Sequence, residues 1–87
     1  MKSKYRAAAG LMYDEKEETA PLISSRGEEA TADKIVGIAE RYGVPVIEDP
    51  KLAESLARLE EGDEIPTELF EPVAIILNGL MKAPKNR

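Results

Sequence analysis

Two adjacent acids, Glu48 and Asp49, follow the short apolar run of residues 44–47 and precede Pro50. Carboxylates at the end of a strand can supply acid–base chemistry. Neighbouring residues at a strand end point to opposite sides, however, so these two carboxylates would not converge on one reacting atom. Aspartate is also a preferred helix N-cap, and proline a preferred first helical residue. The pattern therefore favours a helix start at Asp49 over a catalytic pair.

A second group of acids lies in residues 60–64, but its spacing does not match the calcium-binding loop of an EF-hand. A solvated loop is the simpler interpretation. The chain has no cysteine and no histidine, which removes thiolate metal ligands and the usual general base near neutral pH. Ser24, Ser25 and Ser55 thus have no histidine to activate them. The composition predicts no enzyme activity, no metal site and no cofactor.

Length and charge restrict the class of protein further. The chain has 87 residues, which predicts a single domain over residues 1–87, and its net charge of −5 argues against nucleic-acid binding. The basic residues 1–6 precede only seven apolar residues, and the acidic run 14–18 follows. This pattern is too short for a membrane span and unlike a signal peptide. We therefore expect a cytoplasmic protein without direct membrane insertion.

The hydrophobic periodicity predicts six elements. In chain order these are a strand over residues 4–13, a strand over 20–25, a helix over 28–42, a strand over 44–47, a helix from Pro50 and a helix from Ile65. The first two strands should form an antiparallel hairpin, and the strand–helix–strand unit should be a right-handed parallel crossover. The predicted fold class is α/β (α+β): a small mixed sheet of about three strands packed against three helices, in the order β-β-α-β-α-α.

The helical spacing predicts which side chains are buried. Ile35, Ile38, Ala39 and Tyr42 fall on one face of the first helix. In the last helix, Pro72 should cause a kink or move the true start to a later residue. The apolar residues of that helix cover more of its circumference than one stripe. This surplus has two interpretations: the small domain needs it for its core, or part of it is an exposed patch for a partner.

A series of short stretches is distributed along the chain in a fixed order: Tyr13-Asp14, Ala20-Pro21, Lys34-Ile35, Ala39-Glu40, Gly43-Val44-Pro45, Glu48, Pro50, Leu52-Ala53, Leu56, Glu64-Ile65-Pro66, Leu69-Phe70 and Val73-Ala74. In this series the chain resembles the cytoplasmic domain of the FlhB/YscU family, the export-switch proteins of flagellar and virulence type III secretion. No single stretch is diagnostic, but the ordered set is specific to the family. The resemblance covers about residues 5–82.

Compared with the family's full-length members, this chain is expected to differ in two features. These members carry a transmembrane domain, and they cleave themselves after the Asn of an Asn-Pro-Thr-His motif just before the first strand. The corresponding positions here are Ser3, Lys4, Tyr5 and Arg6. Without Asn and His at these positions, self-cleavage is not expected. A chain that lacks the strand preceding the motif would leave a sheet edge open beside residues 5–13, available to a partner's strand or to a second copy.

The function implied by the resemblance is non-enzymatic binding within a flagellar or type III export apparatus, at the cytoplasmic side of the export gate. The expected partners are export-apparatus proteins and exported subunits. Carried over from the family, the binding patch consists of Ala20, Pro21, Ala74 and Leu77, and residues 83–87 form a flexible tail. The alternative is a small regulatory or structural protein that self-associates, as a homodimer, through its open sheet edge.

Overall fold

The computed structural model describes residues 2–14, 16 and 20–81, with Met81 described by its backbone alone. The elements are β1 (Ala7–Met12), β2 (Leu22–Glu28), α1 (Ala30–Arg41), α2 (Pro50–Leu56), a 3-10 turn (Thr67–Leu69) and α3 (Phe70–Met81). The fold class is α+β, as the sequence predicts, with three helices and a smaller sheet than expected. The tail at 83–87 and most of the loop at 15–19 lie outside the described residues.

The strands β1 and β2 pair antiparallel, which confirms the predicted hairpin. The register runs from Ala7 opposite Glu28 to Met12 opposite Leu22, and it shifts by one residue between Gly10 and Leu11. Ser24 is the residue of β2 that has no partner in this register, so it forms a β-bulge.

The other edge of β2 is partly covered by the loop after α2. The amide of Ile23 donates to the carbonyl of Asp63 at 2.9 Å, and the amide of Gly62 donates to the carbonyl of Ile23 at 2.8 Å. A single antiparallel bridge joins Leu22 to Glu64. The loop thereby extends the hydrogen bonding of the hairpin without forming a full strand.

The strand predicted over residues 44–47 does not form, and that prediction is wrong. Val44 donates its amide to the carbonyl of Ala39 at 2.8 Å, which closes the end of α1. Within the described residues, the sheet holds only β1 and β2. A β-rich sequence adopts a strand only where a neighbouring strand supplies hydrogen-bond partners, because β-propensity depends on context. Val44 and Ile47 are instead about half exposed, and no parallel crossover is made.

The helices pack on both faces of the hairpin. On one face, α2 and α3 enclose the larger cluster, made of Ile23, Leu52, Leu56, Ile65 and Val73. On the opposite face, α1 covers a smaller cluster of Ala8, Ala32 and Val36, against which Tyr5 and Ile35 pack. We call these two faces the α2/α3 side and the α1 side.

The buried face of α1 differs from the predicted one. Ala32, Val36 and, in part, Ile35 and Ala39 face the sheet, whereas Ile38 and Tyr42 are exposed. The predicted set included Ile38 and Tyr42 and left out Ala32 and Val36, the two residues of α1 that are buried. Gly43 follows with a φ of 73°, the left-handed conformation that is common for the residue after a helix.

Both prolines at helix starts behave as expected for their positions. Asp49 caps α2, because its carboxylate accepts the amide of Leu52 at 3.2 Å, and Pro50 is the first helical residue. The helix ends at Leu56, earlier than the sequence suggests. Pro72 is the third residue of α3, where a missing N–H costs no helical hydrogen bond. Of the two predicted effects of Pro72, the later helix start is therefore the one observed.

Candidate functional site: an apolar surface on α3

The exposed surface of α3 carries apolar side chains together with the polar Glu71, four residues before Ile75, and Asn78, three residues after it. Ile75 is 65% exposed, Phe70 is 45% exposed, and Ala74 lies beside Ile75 on the exposed face. The inward face carries the buried Val73 and the half-buried Ile76. The core buries only some of the apolar side chains of α3. The others, which the sequence analysis identified as an apolar surplus, are exposed here.

The four residues predicted to bind a partner lie on two segments, the residues just before β2 and α3. Ala20 and Pro21 are half-buried and immediately precede β2, and the carbonyl of Pro21 accepts the amide of Ile65 at 2.9 Å. Ala74 is exposed, while Leu77 is half-buried and packs against the core cluster of the α2/α3 side. The structure thus brings Leu77 to the core beside β2, and it leaves Ala74 on the surface.

The chain segment that carries this surface is acidic. Residues 59–81 contain six acids and no lysine or arginine. Glu68 and Glu71 are exposed at the start of α3, and Glu64 is exposed in the loop before it. An apolar surface with an acidic border favours a partner that combines apolar with basic residues.

The acids singled out in the sequence lie at a helix start, on the surface and in a turn. Asp49 is a helix cap and Glu48 is exposed. Within residues 60–64, Asp63 accepts the amide of Glu60 at 3.0 Å, a local turn contact. In the part of the chain that the structure describes, no three residues of the types His, Cys, Asp and Glu are grouped so as to hold a metal ion.

A second exposed apolar region, which the sequence analysis missed, lies at the end of α1 and just after it. Tyr42 is 74% exposed and Ile38 is 54% exposed. The side chains of Val44, Val46 and Ile47, which follow in the chain, are exposed as well. The sequence analysis placed all five in the core or in a strand. Their hydrophobicity gave no signal of exposure, because the same residues would be buried if a neighbouring strand were present.

The positions that correspond to the self-cleavage motif make specific backbone contacts. Both oxygens of the Asp33 carboxylate accept amides from this segment: Oδ2 accepts the amide of Lys4 at 3.0 Å, and Oδ1 accepts the amide of Tyr5 at 2.9 Å. In the sequence, Asp33 is simply an acid in the first turn of α1. Such acids are common in first turns, so nothing in the sequence distinguished this one.

None of the described helices has the length and apolarity that crossing a membrane requires. Residues 5–80 match the family described as the FlhB, HrpN, YscU and SpaS family. The chain belongs to this family. The match spans nearly the same residues as the predicted resemblance, which is confirmed.

Three relatives illustrate the range of the family. The chain is 45% identical over 76 residues to the secretion system apparatus protein SsaU of Salmonella typhimurium, covering 86% of this chain but only 22% of SsaU. It is 39% identical over 77 residues to YlqH of Bacillus subtilis, covering 88% of this chain and 83% of YlqH. Among solved structures, the PscU C-terminal domain superposes with a TM-score of 0.79 at 32% identity, covering 86% of this chain and 96% of that domain.

Proposed function

We propose that this chain is a non-enzymatic, protein-binding component of a flagellar or type III protein export apparatus. Family membership supports the role in export. The exposed apolar face of α3 is the observation that supports binding, because a solvent-facing surface of this kind is typical of interaction sites. The proposed partners are exported subunits or components of the export gate, and the proposed location is the cytoplasmic side of the membrane at that gate.

The proposed binding surface is centred on Ala74, with Ile75 beside it and with Ala20, Pro21 and Leu77 at its inner border. Ala74 and Ile75 are exposed and can be covered by a partner without any change in the core. Leu77 packs against the core, so its contribution to binding would be limited to its exposed portion. We expect the partner segment to present apolar side chains flanked by lysine or arginine, which the acidic border of α3 would attract.

The test compares two substitutions that place the same charge on opposite sides of the molecule. Ala74→Asp introduces a carboxylate into the proposed surface, and Ile38→Asp introduces one on the exposed face of α1. The tagged protein and both variants are used to purify partners from the source bacterium, with mass spectrometry as readout. We expect export-gate or exported proteins with the unaltered chain and with Ile38→Asp, and their loss with Ala74→Asp.

Circular dichroism and thermal unfolding of both variants show whether they remain folded. Equal recovery of partners by Ala74→Asp and by the unaltered chain would refute the proposed surface. Loss of partners with Ile38→Asp instead would place the binding surface on the α1 side. Leu77→Asp is a poor test, because a charge at this half-buried position would also disturb the core.

The absence of Asn and His from residues 3–6 leads us to propose that the chain does not cleave itself. Intact mass spectrometry after several days at neutral pH should show one unbroken chain. A fragment that begins within or just after residues 3–6 would contradict this proposal.

Self-association is the second candidate function. It is favoured by the outer edge of β1, which pairs with no strand among the described residues, and by the exposed apolar side chains at 44, 46 and 47. An unprotected sheet edge can pair with another chain. Light scattering at tens of micromolar should give twice the monomer mass if this function is correct, and a clean monomer would exclude it.

A further inference from the structure

Residues 4–6, called the strap here, are bonded to three different parts of the molecule. The backbone amides of Lys4 and Tyr5 donate hydrogen bonds to the Asp33 carboxylate on α1. The carbonyl of Arg6 accepts the amide of Glu29, between β2 and α1, at 3.1 Å. The Arg6 guanidinium lies 3.4 Å from the Glu54 carboxylate on α2. One short segment therefore connects the helices on both sides of the sheet.

The bonds on the α1 side form a closed circuit. The carbonyl of Glu29 accepts the amide of Asp33 at 3.0 Å, and Asp33 in turn holds Lys4 and Tyr5 through its side chain. Two amides on one carboxylate are charge-assisted hydrogen bonds, which are stronger than neutral ones. Asp33 is thus the residue on which attachment of the strap depends most.

Glu29 is held in a strained conformation at the centre of this circuit. Its φ of 53° and ψ of −121° lie in a region that residues with a side chain rarely adopt, and it is the only described non-glycine residue with a positive φ. Strained residues persist only where their surroundings hold them in place. Here Glu29 is held by the hydrogen bond that its amide donates to the carbonyl of Arg6 and by the one that its carbonyl accepts from the amide of Asp33.

The strap also covers apolar surface. The Tyr5 side chain is half-buried and packs against the cluster of Ala8, Ala32 and Val36. If the strap moved away, this cluster between α1 and β1 would be open to solvent or to another chain, and Glu29 would be free to leave its strained conformation.

We propose that the strap has a closed and an open conformation. The Asp33 carboxylate holds it closed over the cluster of the α1 side, and the backbone strain at Glu29 favours its opening. The proposal concerns the positions that the family resemblance assigns to the self-cleavage motif, and it is independent of the proposed binding surface on α3. Asp33 acts as a positioning residue, and it is distinct from Ala74 and its neighbours.

Amide hydrogen exchange of Lys4 and Tyr5, followed by NMR, tests the proposal on the whole chain. In the unaltered protein we expect both amides to exchange at least tenfold more slowly than in an unstructured peptide. Asp33→Ala should bring their exchange close to the unstructured rate and should speed tryptic cleavage after Lys4 and Arg6. Glu40→Ala is the matched control, because it removes an exposed carboxylate from the same helix.

Glu29→Gly should have the opposite effect, because glycine adopts a positive φ without strain and the closed strap would then be favoured. Exchange of the Lys4 and Tyr5 amides should become slower in this variant. In each variant, the amide of Val36 reports global unfolding and should remain protected. If Asp33→Ala unfolds the protein, Asp33→Asn, which keeps one acceptor oxygen, should release one of the two amides.

Two results would overturn the proposal. One is unstructured exchange rates at Lys4 and Tyr5 in the unaltered protein. The other is unchanged rates at both amides in folded Asp33→Ala. Unchanged or faster rates in Glu29→Gly would overturn the part assigned to Glu29, because the strain would then not be coupled to the strap.

Discussion

The two sides of the sheet are built differently. On the α2/α3 side, long aliphatic side chains from three elements and a loop meet in one cluster, and the helix that begins this side is capped by Asp49. On the α1 side, two of the three buried residues are alanines, and the helix begins after the strained Glu29, which makes no side-chain cap. We therefore expect the α2/α3 side to contribute more to stability than the α1 side.

The largest expected effect comes from making the same substitution on both sides. Val73→Ala removes a side chain that is only 2% exposed from the α2/α3 side, whereas Val36→Ala removes one that is 7% exposed from the α1 side. We expect a loss of about 2–3 kcal/mol of unfolding free energy for Val73→Ala and about 1 kcal/mol for Val36→Ala, where a thin layer of small side chains can close over the gap.

Urea denaturation monitored by circular dichroism measures both values. Equal losses in the two variants would contradict the comparison, since they would show that the alanine-rich cluster contributes as much per residue as the aliphatic one.

The N-terminal ends of α2 and α1 offer the next comparison. Asp49→Ala should lower the free energy of unfolding by about 1 kcal/mol, because it removes the side-chain acceptor for the amide of Leu52. Glu48→Ala is the adjacent control and should change stability by less than about 0.5 kcal/mol, as expected for an exposed residue. A larger effect at Glu48 than at Asp49 would contradict the assignment of Asp49 as the cap.

At the start of α1, we expect the opposite sign for the change in the free energy of unfolding. Glu29→Gly should raise the free energy of unfolding by about 1 kcal/mol, because relief of the backbone strain outweighs the greater entropy that glycine gives the unfolded chain. Gly43→Ala is the control at the other end of the helix, where a φ of 73° makes a side chain unfavourable. It should be destabilising. Thermal melts would refute this prediction if Glu29→Gly melted at a lower temperature than the unaltered protein.

The smallest effect is expected for the ion pair that joins the two sides. The Arg6 side chain is 78% exposed, and its contact with Glu54 is a single one at 3.4 Å. Arg6→Gln should therefore change stability by no more than about 0.5 kcal/mol. A loss well above that in chemical denaturation would show that the two sides are coupled more strongly than the contact implies.

The sequence predicted most of the α2/α3 side and less of the α1 side. Asp49-Pro50 carries a local signal that needs no distant partner, and it was interpreted correctly. Residues 44–47 carry an equally clear strand signal, but a strand requires a neighbour, and no local pattern reports whether one exists. Ala32 was overlooked because a small side chain is buried by close approach of the backbones, which periodicity of large residues does not detect.

For the candidate site, the sequence indicated an apolar surplus in the last helix without showing which of its residues are exposed. Ile75 and Val73 are similar in hydrophobicity, and only the position of α3 relative to β2 decides which one is exposed. Asp33 was beyond sequence reasoning for another reason. Its partners are backbone amides 28 and 29 residues away, and a backbone amide has no residue type to recognise.

The bulge at Ser24 has a consequence for changes in chain length. Ile23 and Gly27 are four residues apart and would share one face of a regular strand, yet Ile23 faces α2 and α3 whereas a side chain at Gly27 would meet Thr31 and Ile35 of α1. The extra residue reverses the alternation between them. Deleting Ser24 would turn Ile23 out of its cluster, so we expect related sequences to tolerate substitution at this position far better than loss of the residue.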